Sequence, residues 1–207
     1  MIKSKKNKFI SEIKDLIKSL LNFCKYEIKI LNNEISIYIK SEDLVKTLLF
    51  FKDNPTFNLV TLIDLTAVDY PSDEKRFMLV YNLLSVSKNF RLKVKVRISG
   101  DTPVNSVSDI FPCANWYERE VWDLFGISFI NHPDLRRILV DYNFKGHPLR
   151  KDFPLTGFNE VRYSEREKKV VYEPVKLEQN YRDFDFESPW EGTKYIKKER
   201  TKEKSNE

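Results

Sequence analysis

The chain has 207 residues, of which 41% are hydrophobic, 14% are aromatic and 32% are charged, and its formal net charge is +5 at pH 7. This length suits one domain with an extension, and a charged fraction above the usual value of about a quarter indicates surface that meets partners. Only two cysteines are present, Cys24 and Cys113. They exclude a disulfide framework and the usual four-thiolate iron–sulfur cluster, and they favour a reducing compartment.

The N-terminal part of the chain predicts a helix, a hairpin and a second helix. Apolar side chains recur at helical spacing over residues 9–21. Apolar and polar residues then alternate over residues 26–30 and 35–39, a pattern typical of a β-hairpin. Ser41 is predicted to be the N-cap of the second helix, which ends at Asn54 because a proline follows.

Three longer strands are predicted next, at residues 58–69, 77–86 and 90–99. The turns between them are short, which indicates antiparallel pairing. Helices are predicted before and after these strands rather than between all of them. The pattern therefore predicts an α+β fold with a largely antiparallel sheet and helices on one face.

A further amphipathic helix is predicted to begin at Asn115. Asn115 and Glu118 have the spacing of a capping box, in which the glutamate reaches back to the first residue of the helix. Gly126 is expected to end this helix. Glu120 and Asp123 lie three residues apart on one helix face, where together they would hold an arginine.

Helical and strand periodicity disappear after residue 127. Prolines and aromatic residues recur there, whereas disordered segments are poor in aromatic residues, and long irregular loops are uncommon inside compact domains. We therefore predict an α+β domain at residues 1–127 and a long irregular C-terminal arm at residues 128–191, which binds a partner. Residues 192–207 are expected to form a charged, disordered tail.

Residue patterns typical of catalysis or cofactor binding are scarce. The five glycines form no phosphate-binding loop, so a nucleotide site is not expected. His132 and His147 each precede a proline in a loop, which favours structural hydrogen bonds over a metal site. Glu118, Glu120 and Asp123 would supply the carboxylates of a hydrolase, but the nearby arginines favour a structural ion-pair network.

One basic strand suggests an alternative function. Arg91, Lys93, Lys95 and Arg97 alternate with apolar residues, so one face of this strand is wholly basic. RNA-binding sheets have basic faces, but they also present aromatic side chains, which these positions lack. A solvated face or a contact with an acidic subunit is the simpler interpretation, and RNA binding is the alternative.

The sequence from residue 111 to residue 191 resembles a known family. Its charged and aromatic residues follow, in order, the signature of the 30 kDa subunit of respiratory complex I (NADH–ubiquinone oxidoreductase), which includes mitochondrial NADH dehydrogenase subunit 9. The signature residues are Glu118, Arg119, Glu120, Asp123, Phe125, Gly126, His132, Pro133, Arg136, Arg137, Pro148, Arg150 and Lys151. The similarity continues at residues 160–163, 173–175 and 184–191.

This resemblance implies that the chain is a non-redox scaffold core subunit in the peripheral arm of complex I. Such subunits pack against the 49 kDa-type subunit and other peripheral-arm subunits, and they bind no cofactor, metal or nucleic acid. NADH, FMN, iron–sulfur clusters and ubiquinone belong to the rest of the proton-pumping complex. The implied location is the matrix side of the mitochondrial inner membrane, or the cytoplasmic face of the plasma membrane in a bacterium. Membrane contact is then expected only through the complex, and no apolar run approaches the length of a membrane span.

Overall fold

The chain forms two compact units, Met1–Gly157 and Phe158–Glu207, in a computed structural model. The structure describes residues 2–32, 34–100, 102–177 and 179, with side chains from Ile10 onward. The helices are α1 (Ile2–Leu20), α2 (Leu44–Asp53) and α3 (Ala114–Phe125). The strands are β1 (Tyr26–Leu31), β2 (Glu34–Ile39), β3 (Thr61–Asp69), β4 (Phe77–Ser85), β5 (Phe90–Ile98), β6 (Val104–Asn105), β7 (Phe129–Ile130), β8 (Asn159–Ser164) and β9 (Lys169–Pro174).

Five strands of the first unit form one sheet in the order β1-β2-β5-β4-β3. The pairs β1–β2, β5–β4 and β4–β3 are antiparallel, whereas β2 and β5 run parallel. A parallel neighbour requires a crossover connection, and here the chain from β2 to β5 includes α2 and the hairpin of β3 and β4. The predicted α+β fold with a largely antiparallel sheet is confirmed.

The core lies on one face of this sheet. Along β5 every second residue, from Phe90 to Ile98, is buried, while Arg91 is exposed on the opposite face. The apolar sides of the helices join the same cluster through residues such as Ile17, Phe51 and Val121. Full burial of a side chain of this size stabilises the fold by about 1.5–3 kcal/mol.

Two predicted helix caps are wrong. Ser41 begins a short 3₁₀ helix, Ser41–Asp43, and Asp43 is the residue that precedes α2. Helix α3 begins at Ala114 rather than at Asn115, and the carboxylate of Glu118 binds a neighbouring loop instead of the start of its own helix. The side chain of Glu118 thus makes a tertiary contact with Ser106 and Val107 in place of the local capping contact that its spacing predicted. The end of α3 at Gly126, whose φ of 75° is left-handed, agrees with the prediction.

The boundaries expected after residue 127 also differ from those observed. The first compact unit extends to Gly157, because the carboxylate of Asp123 in α3 accepts hydrogen bonds from the irregular backbone that follows, and Arg150 donates to the carbonyl of Phe125 at the end of α3. The second unit contains the antiparallel hairpin of β8 and β9, where the sequence predicted irregular structure. The predicted tail at residues 192–207 and the motif at residues 184–191 lie outside the described residues.

Candidate functional site

Asp123 is the central residue of the site. Its side chain is fully buried, and its Oδ1 accepts a hydrogen bond of 2.7 Å from Arg137. Its Oδ2 accepts hydrogen bonds from three successive backbone N–H groups, those of Ile138 (3.0 Å), Leu139 (2.8 Å) and Val140 (3.1 Å). Burial alone raises the pKa of Asp123, but these four bonds outweigh it and bring the pKa below its ordinary value. One ionised carboxylate thus fixes a loop that has no regular structure.

Arg137 extends this contact along the loop. Besides Asp123, its guanidinium donates a hydrogen bond of 2.8 Å to the carbonyl oxygen of Phe144. It also lies 5.9 Å from the ring centroids of both Trp122 and Phe144, within the range of cation–π attraction. The arginine therefore joins the helix to two separated points of the loop.

Arg119 binds the same loop through backbone carbonyl groups. Its Nε donates to the carbonyl of Arg136 at 3.2 Å, and its Nη2 donates to the carbonyl of Arg137 at 3.1 Å. The guanidinium also stacks over the ring of Trp116, 5.1 Å from the centroid. Arg119 is buried although no carboxylate pairs with it in the described part of the chain, because the two carbonyl dipoles and the indole face its charge.

The carbonyl groups at the end of α3 are held by His147 and Arg150. Nδ1 of His147 donates to the carbonyl of Asp123 at 2.9 Å, and Nε of Arg150 donates to that of Phe125 at 2.6 Å. Carbonyl groups in the last turn of a helix have no N–H partner within that helix. A positively charged side chain such as that of Arg150 is also favourable there, because the helix dipole is negative at its C-terminal end. A Cβ atom at Gly126 would lie 2.5 Å from Arg150 and 2.6 Å from His147, so both side chains depend on the glycine.

We call Arg119, Asp123, Arg137, His147 and Arg150 the α3 clamp, and residues 132–152 the clamped segment. Four members of the clamp, all except His147, belong to the predicted signature, and the structure brings all five together around one helix. The sequence predicted an ion-pair network here, and structural hydrogen bonds for His147. The observed network joins side chains to backbone groups more often than it joins acids to bases.

A second anchor holds the far end of the clamped segment. Arg76 donates to both oxygens of Asp69, at 2.6 and 2.8 Å, and to both oxygens of Asp152, each at 2.9 Å. The backbone N–H of Lys151 also binds Asp69, at 2.7 Å. Hydrogen bonding from Arg76 lowers the pKa of Asp69 although burial opposes it. Sequence analysis missed Asp69 and Arg76, whose only signal is the position of Asp69 at the end of a strand.

Glu118 and His132 are buried beside the clamp. Glu118 accepts hydrogen bonds from the hydroxyl of Ser106 at 2.6 Å and from the N–H of Val107 at 2.7 Å. Burial raises its pKa above the ordinary value. His132 lies 3.0 Å from the carbonyl of Asn115 through Nε2. No group of three or more potential metal ligands occurs among the described residues.

The remaining signature residues have smaller roles. Arg136 pairs with Asp134 at 2.8 Å on the surface, and Pro133 lies between His132 and that pair. In the described part of the chain, Glu120 does not share an arginine with Asp123, contrary to the expectation from their spacing; Arg137 reaches Asp123 alone. Charge spacing along a helix therefore did not identify which carboxylate is buried.

The clamp leaves large apolar side chains on the surface. Exposed fractions are 62% for Trp116, 60% for Leu139, 78% for Tyr142 and 83% for Leu155. Three of these follow or lie within the clamped segment, and Trp116 stacks on a clamp residue. Aromatic side chains held on a fixed backbone are typical of the anchoring residues of protein interfaces.

The basic strand predicted as an alternative site contacts other groups of the protein. Lys93 pairs with Glu34, and Arg97 pairs with Asp73 at 2.6 Å. Lys95 lies 5.3 Å from the ring centroid of Tyr38, which occupies the neighbouring strand. Two of the four basic side chains are therefore paired with carboxylates, which weakens the case for RNA binding.

The fold and the site define a class: an α+β domain in which buried charges fix an irregular segment bearing exposed aromatic residues. The sequence model of one protein family, the 30 kDa subunit of the respiratory-chain NADH dehydrogenase, matches residues 37–159. The chain belongs to this family of complex I subunits. Among the helices in the described part of the chain, none is both long and apolar enough to cross a membrane.

Curated relatives cover most of the chain. The C subunit of NADH-quinone oxidoreductase from Chelativorans sp. (strain BNC1) is 48% identical over 190 residues, which are 92% of this chain and 95% of that protein. Its counterpart of the same name from Methylobacterium sp. (strain 4-46) is 56% identical over 164 residues, 79% of this chain and 76% of that protein. Among solved structures, a chain of the membrane-bound sulfane sulfur reductase, an archaeal respiratory membrane complex, matches with a TM-score of 0.57 and 26% identity, over 72% of this chain and 86% of that one.

Proposed function

We propose that this chain is a non-redox scaffold subunit of the peripheral part of an NADH–quinone oxidoreductase, and that it supports electron transfer from NADH to quinone by holding neighbouring subunits in place. The α3 clamp is the observation that carries the proposal. Its buried charges are all used in fixing the clamped segment, which presents Leu139 and Tyr142 on the surface. Such an arrangement suits binding of a protein partner better than catalysis.

The hairpin of β8 and β9 supplies a second surface for the same purpose. Val161 pairs with Tyr172 and Tyr163 pairs with Val170, so these four side chains share one face, and each is more than half exposed. Arg162 and Glu173 form a bidentate ion pair on the opposite face, at 2.8 and 2.6 Å. A two-stranded hairpin is only marginally stable by itself, and a partner that covers its apolar face would stabilise it.

The partner that we propose for these surfaces is the 49 kDa-type subunit, together with other subunits of the peripheral arm. In this proposal NADH, FMN, the iron–sulfur clusters and the quinone are bound by those other subunits. The chain then lies at the membrane through the complex alone. The relatives described above are bacterial, which supports the cytoplasmic face of a plasma membrane; the mitochondrial location stays a prediction.

The proposal is tested by co-expressing the chain with the other subunits of the complex and measuring assembly on native gels. Replacing both Leu139 and Tyr142 with alanine should reduce the amount of assembled complex strongly, while the free chain unfolds at an unchanged urea concentration, because both side chains are mostly exposed. Leu31→Ala is the matched control, because Leu31 is also a large exposed apolar residue but lies on β1. Normal assembly of the double variant, with lower turnover per complex, would indicate a direct role in the reaction instead.

A further inference from the structure

The carboxyl group of Glu118 is fully buried without a cation to neutralise it. Among the described residues, the only basic group within ion-pair distance is His132, whose Nε2 lies 3.9 Å from Oε2 of Glu118. The hydrogen bonds of that imidazole match its neutral form. Its Nε2 donates to the carbonyl of Asn115 at 3.0 Å, and its Nδ1 accepts the N–H of Asp134 at 3.1 Å, so Nδ1 carries no proton. The contact between Glu118 and His132 is therefore not an ion pair.

The hydrogen bonds around Glu118 are compatible with two positions of a proton. Oε1 accepts the N–H of Val107, which only donates. Oε2 lies 2.6 Å from the hydroxyl of Ser106, which lies 2.9 Å from the hydroxyl of Ser108. The Ser106 hydroxyl has a single proton, so it donates to only one of these neighbours at a time. It donates to an ionised Glu118, or it accepts from a protonated Glu118 and donates to Ser108.

We infer that Glu118, Ser106 and Ser108 form a proton-binding chain that begins at the buried carboxyl group and ends at two part-buried serines, and that the carboxyl group gains or loses a proton while the loop that contains both serines stays bound to α3. The two states differ only in the direction of the hydroxyl bonds. Every heavy atom keeps its place, and the bond from Val107 is the same in both. This inference does not depend on the proposed function.

The surroundings of the chain favour the protonated state. Burial is the main cause of the raised pKa of Glu118, and it outweighs the hydrogen bonds from Ser106 and Val107 and the nearby imidazole of His132, which lower the pKa; the negative charge of Asp109 adds to the effect of burial. Tyr81 is fully buried nearby, and its pKa is raised well above the ordinary value by burial first and by Glu118 second, so it remains a neutral phenol. Because the folded-state pKa of Glu118 lies above its unfolded value, its contribution to stability is complete below the unfolded pKa and is lost as pH rises through the folded pKa.

Substitution by glutamine tests the inference on the full-length chain. In Glu118→Gln the amide oxygen accepts from Val107 and the amide nitrogen donates to Ser106, which reproduces the protonated arrangement. At pH 7 this variant should unfold at a urea concentration equal to or above that of the unmodified protein. This difference in urea midpoint should disappear at pH values below the pKa that glutamate has in the unfolded chain. Glu118→Met removes both hydrogen bonds and should lower the midpoint at every pH. If glutamine and methionine lower the midpoint equally at pH 7, the inference is wrong.

Carbon NMR of the glutamate side chains gives a second, direct measurement. The signal that Glu118→Gln removes should titrate at higher pH than the signals of the other glutamates, and the amide of Val107 should stay protected from exchange on both sides of the transition. Ser108→Ala removes the final acceptor of the protonated arrangement, so the same signal should then titrate at lower pH. A titration that Ser108→Ala leaves unchanged, or loss of Val107 protection as the proton binds, would contradict the inference.

Discussion

The clamped segment and the hairpin of β8 and β9 come from the same predicted arm, but they are held by opposite means. The clamped segment has irregular backbone and is fixed by buried charged groups, with Asp123 alone accepting four hydrogen bonds. The hairpin has regular strand pairing and an exposed apolar face. The comparison teaches that regular secondary structure and attachment to a core are separate properties. A segment without periodicity is fixed wherever buried groups satisfy its backbone.

Truncation should separate the two regions most strongly. A chain that ends at Gly157 keeps the clamped segment and should unfold cooperatively with nearly unchanged stability. A chain that ends at Ile127 leaves Asp123 without Arg137 and without its three backbone donors. We expect it to lose at least about 3–5 kcal/mol, the cost of breaking one buried charged pair. Urea unfolding followed by circular dichroism measures both, and equal stability of the two truncations would refute the role of the clamp.

Asp123→Asn should produce the next largest effect. The side chain keeps its shape but loses its charge, and Arg137 is left without its acid in a largely buried site, where its exposed fraction is 16%. The expected loss in the free energy of unfolding is about 3 kcal/mol. The matched control is Asp134→Asn, which breaks the exposed pair with Arg136 and should cost less than about 1 kcal/mol. Similar losses in both variants would show that the burial of the clamp has no energetic consequence.

Gly126→Ala should destabilise the clamp through the backbone and through steric contact. The φ of 75° is unfavourable for alanine by about 1–2 kcal/mol, and the new methyl group would displace Arg150 and His147. We expect a loss of about 2 kcal/mol or more, measured by thermal or urea unfolding. Gly100→Ala is the control, because a methyl group there meets only Phe77, at 3.8 Å. A larger loss at Gly100 would contradict this explanation.

The second anchor should show itself in the response to acid. The pKa of Asp69 is lowered in the folded state, so its contribution to stability is present above the unfolded pKa and is lost as pH falls through the folded pKa. In Arg76→Gln that pKa should rise towards its ordinary value. The variant should therefore be less stable by about 2 kcal/mol at pH 7, and this deficit should shrink as pH falls, because the unmodified protein loses the contribution of Asp69 there and the variant has none left to lose. Acid unfolding curves that coincide would show that Arg76 does not set the pKa of Asp69.

Sequence reasoning identified the clamp residues without identifying their partners. Arg119, Asp123 and Arg137 were selected because they belong to the family signature and because carboxylates near arginines favour an ion-pair network. The spacing of these charged residues suggested that acids would pair with bases, but backbone N–H and C=O groups supply most of the partners. Since every residue type has the same backbone carbonyl group, the sequence does not indicate which of these groups a side chain will bind. Asp69 and Arg76 were missed because they lie far from Asp152 along the chain. The hairpin was overlooked although Val161 and Tyr163 alternate with polar residues in β8, because the prolines on both sides suggested irregular structure.

The amino-acid sequence by itself determined the α+β class, the three long strands and the end of α3 at Gly126. These features depend on periodicity and local backbone preference, which act between residues that are close along the chain. The tertiary structure decided the parallel pairing of β2 with β5, the partner of Glu118 and the attachment of residues 132–152 to the domain. Each of these is a choice among contacts distant in sequence, and burial selects among them because a buried charge or backbone group without a partner is costly.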